Sequence, residues 1–307
     1  MINQSLRQLQ SQMETVLQGK GGVIRMAIVA LLGRGHLLIE DIPGVGKTTL
    51  ASALARSMDC SFRRIQFTSD LLPTDILGVT IFNQETKEFE FRQGPVFSNI
   101  VLADEINRTN PKTQSALLEA MSEHRITTER TTLVLPEPFM VIATQNPVEY
   151  HGTFPLPESQ LDRFMLHITI GYPLAEFERR AILRQSSFEI LEDLQPVVSR
   201  QEIVRMQDEA GTVFAEDSVV DYLMQIVAGT RNHPEIRLGA STRGAQFFLR
   251  AARAYAYSDG RDFVLPDDVK ALAPLVLGHR IIPRARKSIA ESEALIEEIA
   301  ESLPVPL

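Results

Sequence analysis

The chain has 307 residues, a formal net charge of −8, 44% apolar and 23% charged residues, and a single Cys. That size and composition suit one large or two modest globular domains and exclude whole-chain disorder, collagen and coiled coil. The acidic balance argues against a non-specific nucleic-acid binder, and one Cys excludes a disulfide framework or a multi-cysteine metal knuckle. Six of the 31 basic residues are Lys and the rest Arg, so a lysine at a special position stands out.

In chain order, MINQSLRQLQSQMETVLQ is polar and helix-prone and has neither the apolar segment nor the cleavage site of a secretory leader. Val23 to Leu32 is the most apolar stretch, but it is short, contains Arg25 and is followed by Arg34. It predicts a core-packed helix rather than a membrane span, and a cytoplasmic location is expected. Strand-like runs follow at HLLIE (36–40), SFRRIQF (61–67), NIVLA (99–103), FMVIA (139–143) and MLHITI (165–170). Separated by helical patterns, they predict an α/β sheet layered with helices. Residues 78–98 and 125–138 read as hairpin-like additions with polar or charged turns. GYP at 171–173 is an expected hinge. Beyond it, amphipathic helices are predicted around 176–185, 200–209, 217–228, 242–257, 267–274 and 287–301. The expected division is an α/β core over 1–172 and an all-helical domain over 173–307.

HLLIE runs directly into DIPGVGKTT at 41–49. The pattern G-x-x-x-x-G-K-[ST] is met at Gly46, Lys47 and Thr48, with Gly44 inside it and Asp41 in place of its first Gly. Pro43, Gly44, Val45 and Gly46 would form a loop whose successive N–H groups point at phosphates. Lys47 would reach the β- and γ-phosphates, the Thr48 hydroxyl would coordinate Mg²⁺, and Thr49 would open a helix whose dipole favours the anion. A Gly-rich turn with a chance lysine is the plainer alternative, but the strand–loop–helix context supports a nucleotide site. NIVLADE delivers Asp104 and Glu105 at the end of a second strand. Asp104 would hold Mg²⁺ directly or through water, and Glu105 would orient and deprotonate the attacking water. An Asp-Glu pair ending a strand is ordinary by itself; its place after the loop points to hydrolysis.

Other groups have plainer readings. The six histidines show no metal-ligand spacing, His167 reads as a core or sheet-face residue, and His151 lies in a Gly/Pro-rich segment. Cys60 reads as filler, and Arg63 and Arg64 beside Arg56 as a solvated face or intersubunit ion pairs.

The segments GHLLIEDIPGVGKTTLA, NIVLADEINRTNPKTQSALLEAMSEHR, FMVIATQNPVEYHGTFPLPESQLDRFMLHITIGYP and LGASTRGAQFFLRAARAYA resemble the MoxR family of AAA+ ATPases, from about Gly19 to Arg280. The resemblance implies an AAA+ αβα P-loop core with a parallel five-stranded sheet, followed by a helical lid. The two hairpin-like segments match the family's inserts. Asn146 matches sensor 1, which positions the attacking water; without the resemblance it is equally a turn residue before Pro147. Arg163 in LDRF takes the arginine-finger position, where a surface salt bridge is the bland alternative. Arg243 matches sensor 2, acting in its own subunit or across an interface. Thr242 replaces the usual Pro before Arg243, which predicts a looser helix start. Gly19 to Gly22 replaces a more acidic segment near the adenine, and Gly278 stands where a basic residue is usual. The last departure bears on C-terminal helix packing.

By resemblance, the chain is a ring-forming, Mg²⁺-dependent ATPase that self-associates as a hexameric ring and remodels or matures protein clients. Proteins with von Willebrand factor A domains are the implied client class. The alternative is a nucleotide-gated regulatory or binding module with little turnover, DNA-associated in one version. The acidity of the chain weighs against nucleic acid, and a simple kinase leaves the sensor motifs unexplained.

Overall fold

Apolar runs with no polar side to turn to solvent need cover on both faces, and the fold supplies it with a sheet between two helical layers. The structure is a computed structural model that describes residues 4–127, 132–146, 153–173, 175–183, 191–285 and 288–306. Helices α1 (Gln4–Val16) and α2 (Gly21–Leu32) lead into β1 (Leu37–Glu40), α3 (Lys47–Ser57) and β2 (Phe62–Gln66). The short α4 (Pro73–Leu77) precedes the hairpin β3 (Gly78–Asn83) and β4 (Glu88–Gln93). Then come β5 (Ile100–Asp104), a 3-10 turn (Ile106–Arg108), α5 (Pro111–Glu123), the hairpin β6 (Arg125–Thr127) and β7 (Thr132–Val134), and β8 (Met140–Gln145). The short α6 (Glu158–Leu161) and β9 (Leu166–Ile168) follow.

The five core strands pair in the order β2-β5-β8-β1-β9, and every pair is parallel. All five expected strands are present. Alternate residues sort into two cores: Leu37, Ile39, Ile100, Leu102 and Ile142 on one side, Leu38, Val101, Ala103 and Val141 on the other. The first side also takes apolar residues of α1, α2, α3 and the helices after residue 190; the second takes those of α4 and α5. Edge strand β2 exposes Arg63, Arg64 and Gln66, a charged edge that discourages pairing with another chain. Asn110 starts α5 by accepting from the Thr113 N–H (3.1 Å), with Pro111 at the first helical position.

Beyond the core lie α7 (Ala175–Leu183), α8 (Arg200–Gly211), α9 (Asp217–Asn232), β10 (Ile236–Leu238), α10 (Thr242–Ser258) and α11 (Pro266–Leu277). A 3-10 turn (Gly278–Arg280), β11 (Ile282–Pro283) and α12 (Ile289–Ser302) complete the lid. The lid is helical but not wholly so: β10 and β11 pair antiparallel, in runs too short for periodicity to reveal. Gly278 has a packing reason, since a Cβ there would sit 2.4 Å from Glu293 Cγ on α12. Thr242 does not loosen its helix, because Ser241 caps it by accepting from the Gly244 N–H (3.0 Å). The tip of the second hairpin (128–131), Pro147, His151 and the last two residues of the helix expected at 176–185 lie outside the described residues.

Candidate functional site

Strands β5, β8 and β1 are neighbours and parallel, so their carboxyl ends leave the sheet along one edge. Asp104 and Glu105, then Asn146, then the loop from Asp41 to Gly46 therefore emerge side by side. Gly44 (φ 85°) and Gly46 (φ 99°) are left-handed, the conformation that glycine adopts without penalty. The helix opens at Lys47, two residues before the expected Thr49, because the Gly46 carbonyl already accepts from the Leu50 N–H (2.9 Å). No side chain caps this helix start, which leaves first-turn N–H groups for an anion. Pro43, Gly44 and Thr48 are exposed, Val45 is buried, and Thr49 is half-buried.

Lys47 Nζ donates to the Asp41 carbonyl at 2.5 Å. Burial lowers its pKa, while the charges of Asp41, Asp104 and Glu105 partly restore it. Asp104 is buried, and its two oxygens have different partners. Oδ1 accepts from Thr144 Oγ1 (2.7 Å), and Oδ2 from Arg64 Nε (3.0 Å) and Nη2 (2.6 Å). Thr144 Oγ1 also accepts from the Glu105 N–H (2.8 Å). Glu105 adopts a left-handed conformation (φ 57°, ψ 49°) at the head of the 3-10 turn, an arrangement that costs on the order of 1–2 kcal/mol without glycine. Its Oε2 accepts from Gln66 Nε2 (2.8 Å) and lies 3.2 Å from Arg108 Nε. Arg64 is thus part of the acidic site, not a solvated face. Alternation in SFRRIQF puts Arg64 and Gln66 on one face; only the pairing of β2 with β5 aims that face at the acids. Asn146 is buried directly after β8, between the two sets of groups.

Thr48 and Asp104 supply a hydroxyl and a carboxylate, the hard oxygen donors that suit Mg²⁺. The guanidinium on Asp104 Oδ2 shows that this oxygen takes a cation. Among the described residues, no group of three His, Cys, Asp or Glu is placed to hold a metal ion alone.

Arg163 and Arg243 stand together elsewhere. They line one cavity of about 130 Å³ with Arg34, His36, His124 and Arg250, and neither the loop nor the acids reach it. Among the described residues, its lining contains no carboxylate. Arg163 Nη1 donates to the Leu118 carbonyl (3.3 Å) and to Ser122 Oγ, while its buried Nε has no partner. Arg243 is exposed and makes no hydrogen bond or ion pair with a described residue. Burial holds His36 down at about 3, helped by the charges of His124 and Arg250; burial and Arg250 also lower His124. The cavity therefore carries its charge on arginine and keeps both imidazoles neutral.

Asp162, next to Arg163, was not singled out from sequence. It accepts from Ser241 Oγ (3.0 Å) and Arg280 Nε (3.0 Å) and so ties the lid to the core. Burial pushes Arg280 down to about 10 despite the pull of Asp162. His167 is buried, Nδ1 2.8 Å from Glu293 and Nε2 3.5 Å from Glu40. Burial pushes the Cys60 thiol up to about 12, which removes it as a nucleophile near neutral pH. Among the described residues, no helix is long and apolar enough to cross a membrane.

The signature of the ATPase family associated with various cellular activities (AAA) matches residues 36–166, and that of the AAA lid domain matches residues 228–299. Uncharacterized protein YeaC of Bacillus subtilis is 49% identical over 294 residues, covering 95% of this chain and 92% of the relative. Chaperone MoxR1 of Mycobacterium tuberculosis is 38% identical over 303 residues, covering 96% and 78%. The crystal structure of an ATPase candidate from Cytophaga hutchinsonii superposes with a TM-score of 0.89 at 39% identity, covering 99% of this chain and 95% of that one. With a P-loop strand edge, a helical lid and relatives that span almost its whole length, the chain belongs to the AAA family of ATPases and has MoxR proteins among its relatives.

Proposed function

We propose that this protein binds ATP with Mg²⁺ and hydrolyses it to ADP and phosphate, in a ring of copies that remodels or matures client proteins. The core is taken as residues 1–172, the lid as 173–307 and the hinge as 171–173. The observation that carries the reading is the separation of two charged loci. Lys47, Thr48, Asp104, Glu105 and Asn146 lie along one strand edge, whereas Arg163 and Arg243 share a cavity that none of them lines. An arginine cavity whose lining, among the described residues, holds no carboxylate and no residue of the chain's own phosphate loop suits the phosphates of a neighbour's nucleotide. Arg243 then acts across the interface beside Arg163.

Mg²⁺, held by Thr48 and Asp104, would neutralise phosphate charge. The loop N–H groups and Lys47 bind and orient the phosphates, and Asn146 positions water. Glu105 takes a proton as the water oxygen bonds to the γ-phosphorus and the bond to the bridging oxygen breaks, with ADP leaving. Client contact is assigned to the hairpins β3–β4 and β6–β7. Phe82 and Phe89, edge-to-face at 5.3 Å on the first hairpin, are about half exposed. A chaperone role is in keeping with the mycobacterial relative, Chaperone MoxR1, and proteins with von Willebrand factor A domains are the proposed clients.

The test is ATP turnover against protein concentration, with mixtures of two inactive variants. Specific activity should rise with assembly, fall with Arg163→Ala, and partly return when Arg163→Ala is mixed with Glu105→Gln. Turnover independent of concentration and intact in Arg163→Ala would refute the shared site. One observation favours the regulatory-module alternative: Arg64 and Arg108 hold both acids in this state. Negligible turnover with tight ATP binding at every concentration would select it.

A further inference from the structure

Asp41 occupies the position where the phosphate-loop pattern has its first Gly, and every polar group it carries is engaged. Its N–H donates to the Gln145 carbonyl (3.1 Å), next to Asn146, and its carbonyl accepts Lys47 Nζ (2.5 Å). Its buried carboxylate accepts three N–H groups: Ile42 on Oδ1 (2.8 Å), and Ile170 and Gly171 on Oδ2 (2.7 Å each). Two successive N–H groups thus converge on one oxygen, the arrangement in which a backbone nest holds an anion. On the other side of the same segment, Lys20 Nζ donates to the carbonyls of Ile170 (2.6 Å) and Tyr172 (2.8 Å). The segment leading into the lid is thus gripped by an acid on its N–H groups and a base on its carbonyls. The acid is the residue whose carbonyl restrains the phosphate-binding lysine.

We infer that Asp41 is a positioning residue that transmits occupancy of the phosphate loop to the core–lid hinge, with Lys20 as the opposing grip. The inference rests on the nucleotide reading of the loop. A phosphate that engages Lys47 draws its ammonium from the Asp41 carbonyl. The strand before Asp41 is fixed in the sheet, so the residue responds through its carboxylate and shifts its hold on Ile170 and Gly171. Glycine at this position would leave the lysine contact possible and sever the link to the hinge.

The test is hydrogen exchange at the Ile170 and Gly171 amides in the full chain, with and without a non-hydrolysable ATP analogue and Mg²⁺, alongside steady-state kinetics. In the parent, the analogue should change exchange at these amides at least about threefold. In Asp41→Ala, both amides should exchange roughly tenfold faster without nucleotide, and the response to nucleotide should vanish. The kcat should fall by about fivefold or more, while the analogue's Kd moves less than about threefold, because the effect lies in transmission and not in ground-state binding. If Asp41→Ala does not fold, Asp41→Asn carries the same test. It preserves the size, but one amide oxygen must replace two carboxylate oxygens for three donors. Unchanged protection in the variant, or a parent that binds the analogue with no response at Ile170 and Gly171, overturns this inference alone. A parent that binds no nucleotide overturns the reading of the site together with it.

Discussion

Arg64 and Asp104 form a two-point contact, Nε at 3.0 Å and Nη2 at 2.6 Å from the same carboxylate oxygen. The register of β2 on β5 sets Arg64 opposite Leu102 and Gln66 opposite Asp104, so the guanidinium reaches diagonally along one face of the sheet. The oxygen it holds belongs to the carboxylate proposed for Mg²⁺.

Arg64 and Mg²⁺ therefore compete for Asp104. Because Arg64 is half exposed, the pair sits on the weak scale of surface ion pairs. Arg64→Met should lower the Mg²⁺ concentration for half-maximal turnover by about two- to fivefold, matching a contact of up to about 1 kcal/mol. A magnesium titration of parent and variant at saturating ATP checks it; a rise in the Mg²⁺ requirement would show that Arg64 orients the acid instead.

Thr144 serves both acids through one fully buried hydroxyl. Thr144→Val keeps the β-branched shape but leaves the Glu105 N–H and Asp104 Oδ1 each short of a partner. Urea unfolding should show a loss of about 1–3 kcal/mol. The kcat should fall roughly tenfold or more from misplacement of the acids. Thr144→Ser should recover most of both.

Asp162 partners a guanidinium that is almost wholly buried, with Arg280 1% and Asp162 20% exposed at their side chains. Asp162→Ala leaves that charge with backbone carbonyls and the His279 ring nitrogen but no carboxylate, and also removes the Ser241 contact. The expected cost is about 3 kcal/mol, read from denaturant unfolding. Lid helices should lose exchange protection before the sheet does.

His167 gives a pH dependence with a definite sign. Burial opposes its charge, but hydrogen bonding and the charges of Glu293 and Glu40 outweigh burial and raise its pKa. A raised folded-state pKa stabilises fully below the unfolded value of about 6.5, and the gain disappears as pH rises through the folded value. The nearby buried His279 is pushed well below its usual value by burial and by Arg280 and His167, and His36 is held at about 3; both act in the opposite direction. The informative quantity is therefore the Tm difference between parent and His167→Gln. It should be largest near pH 6 and shrink toward pH 8.5. A difference flat with pH would mean that His167 contributes packing alone.

Much of the fold was legible because its signals are local. Apolar runs at 99–103 and 139–143 are strands covered on both faces, and GVGKTT after a strand can form little but a loop entering a helix. The lid helices were equally clear from their periodicity. Its ribbon was not, because Ile236–Leu238 and Ile282–Pro283 are far apart in sequence and too short to alternate visibly.

By itself, the sequence determined which residue types reach the strand ends: Lys47 and Thr48 after β1, Asp104 and Glu105 after β5, Asn146 after β8. Backbone propensity and side-chain periodicity act over a few residues, and these motifs are that short. Tertiary structure alone decided their company. Strand register placed Arg64 on Asp104 and Gln66 on Glu105, chain crossing brought Asp41 to Ile170 and Gly171, and lid packing set Arg243 beside Arg163. Each of these relationships joins segments distant in sequence, and it exists only once burial of the common core has fixed how the sheet and the lid meet.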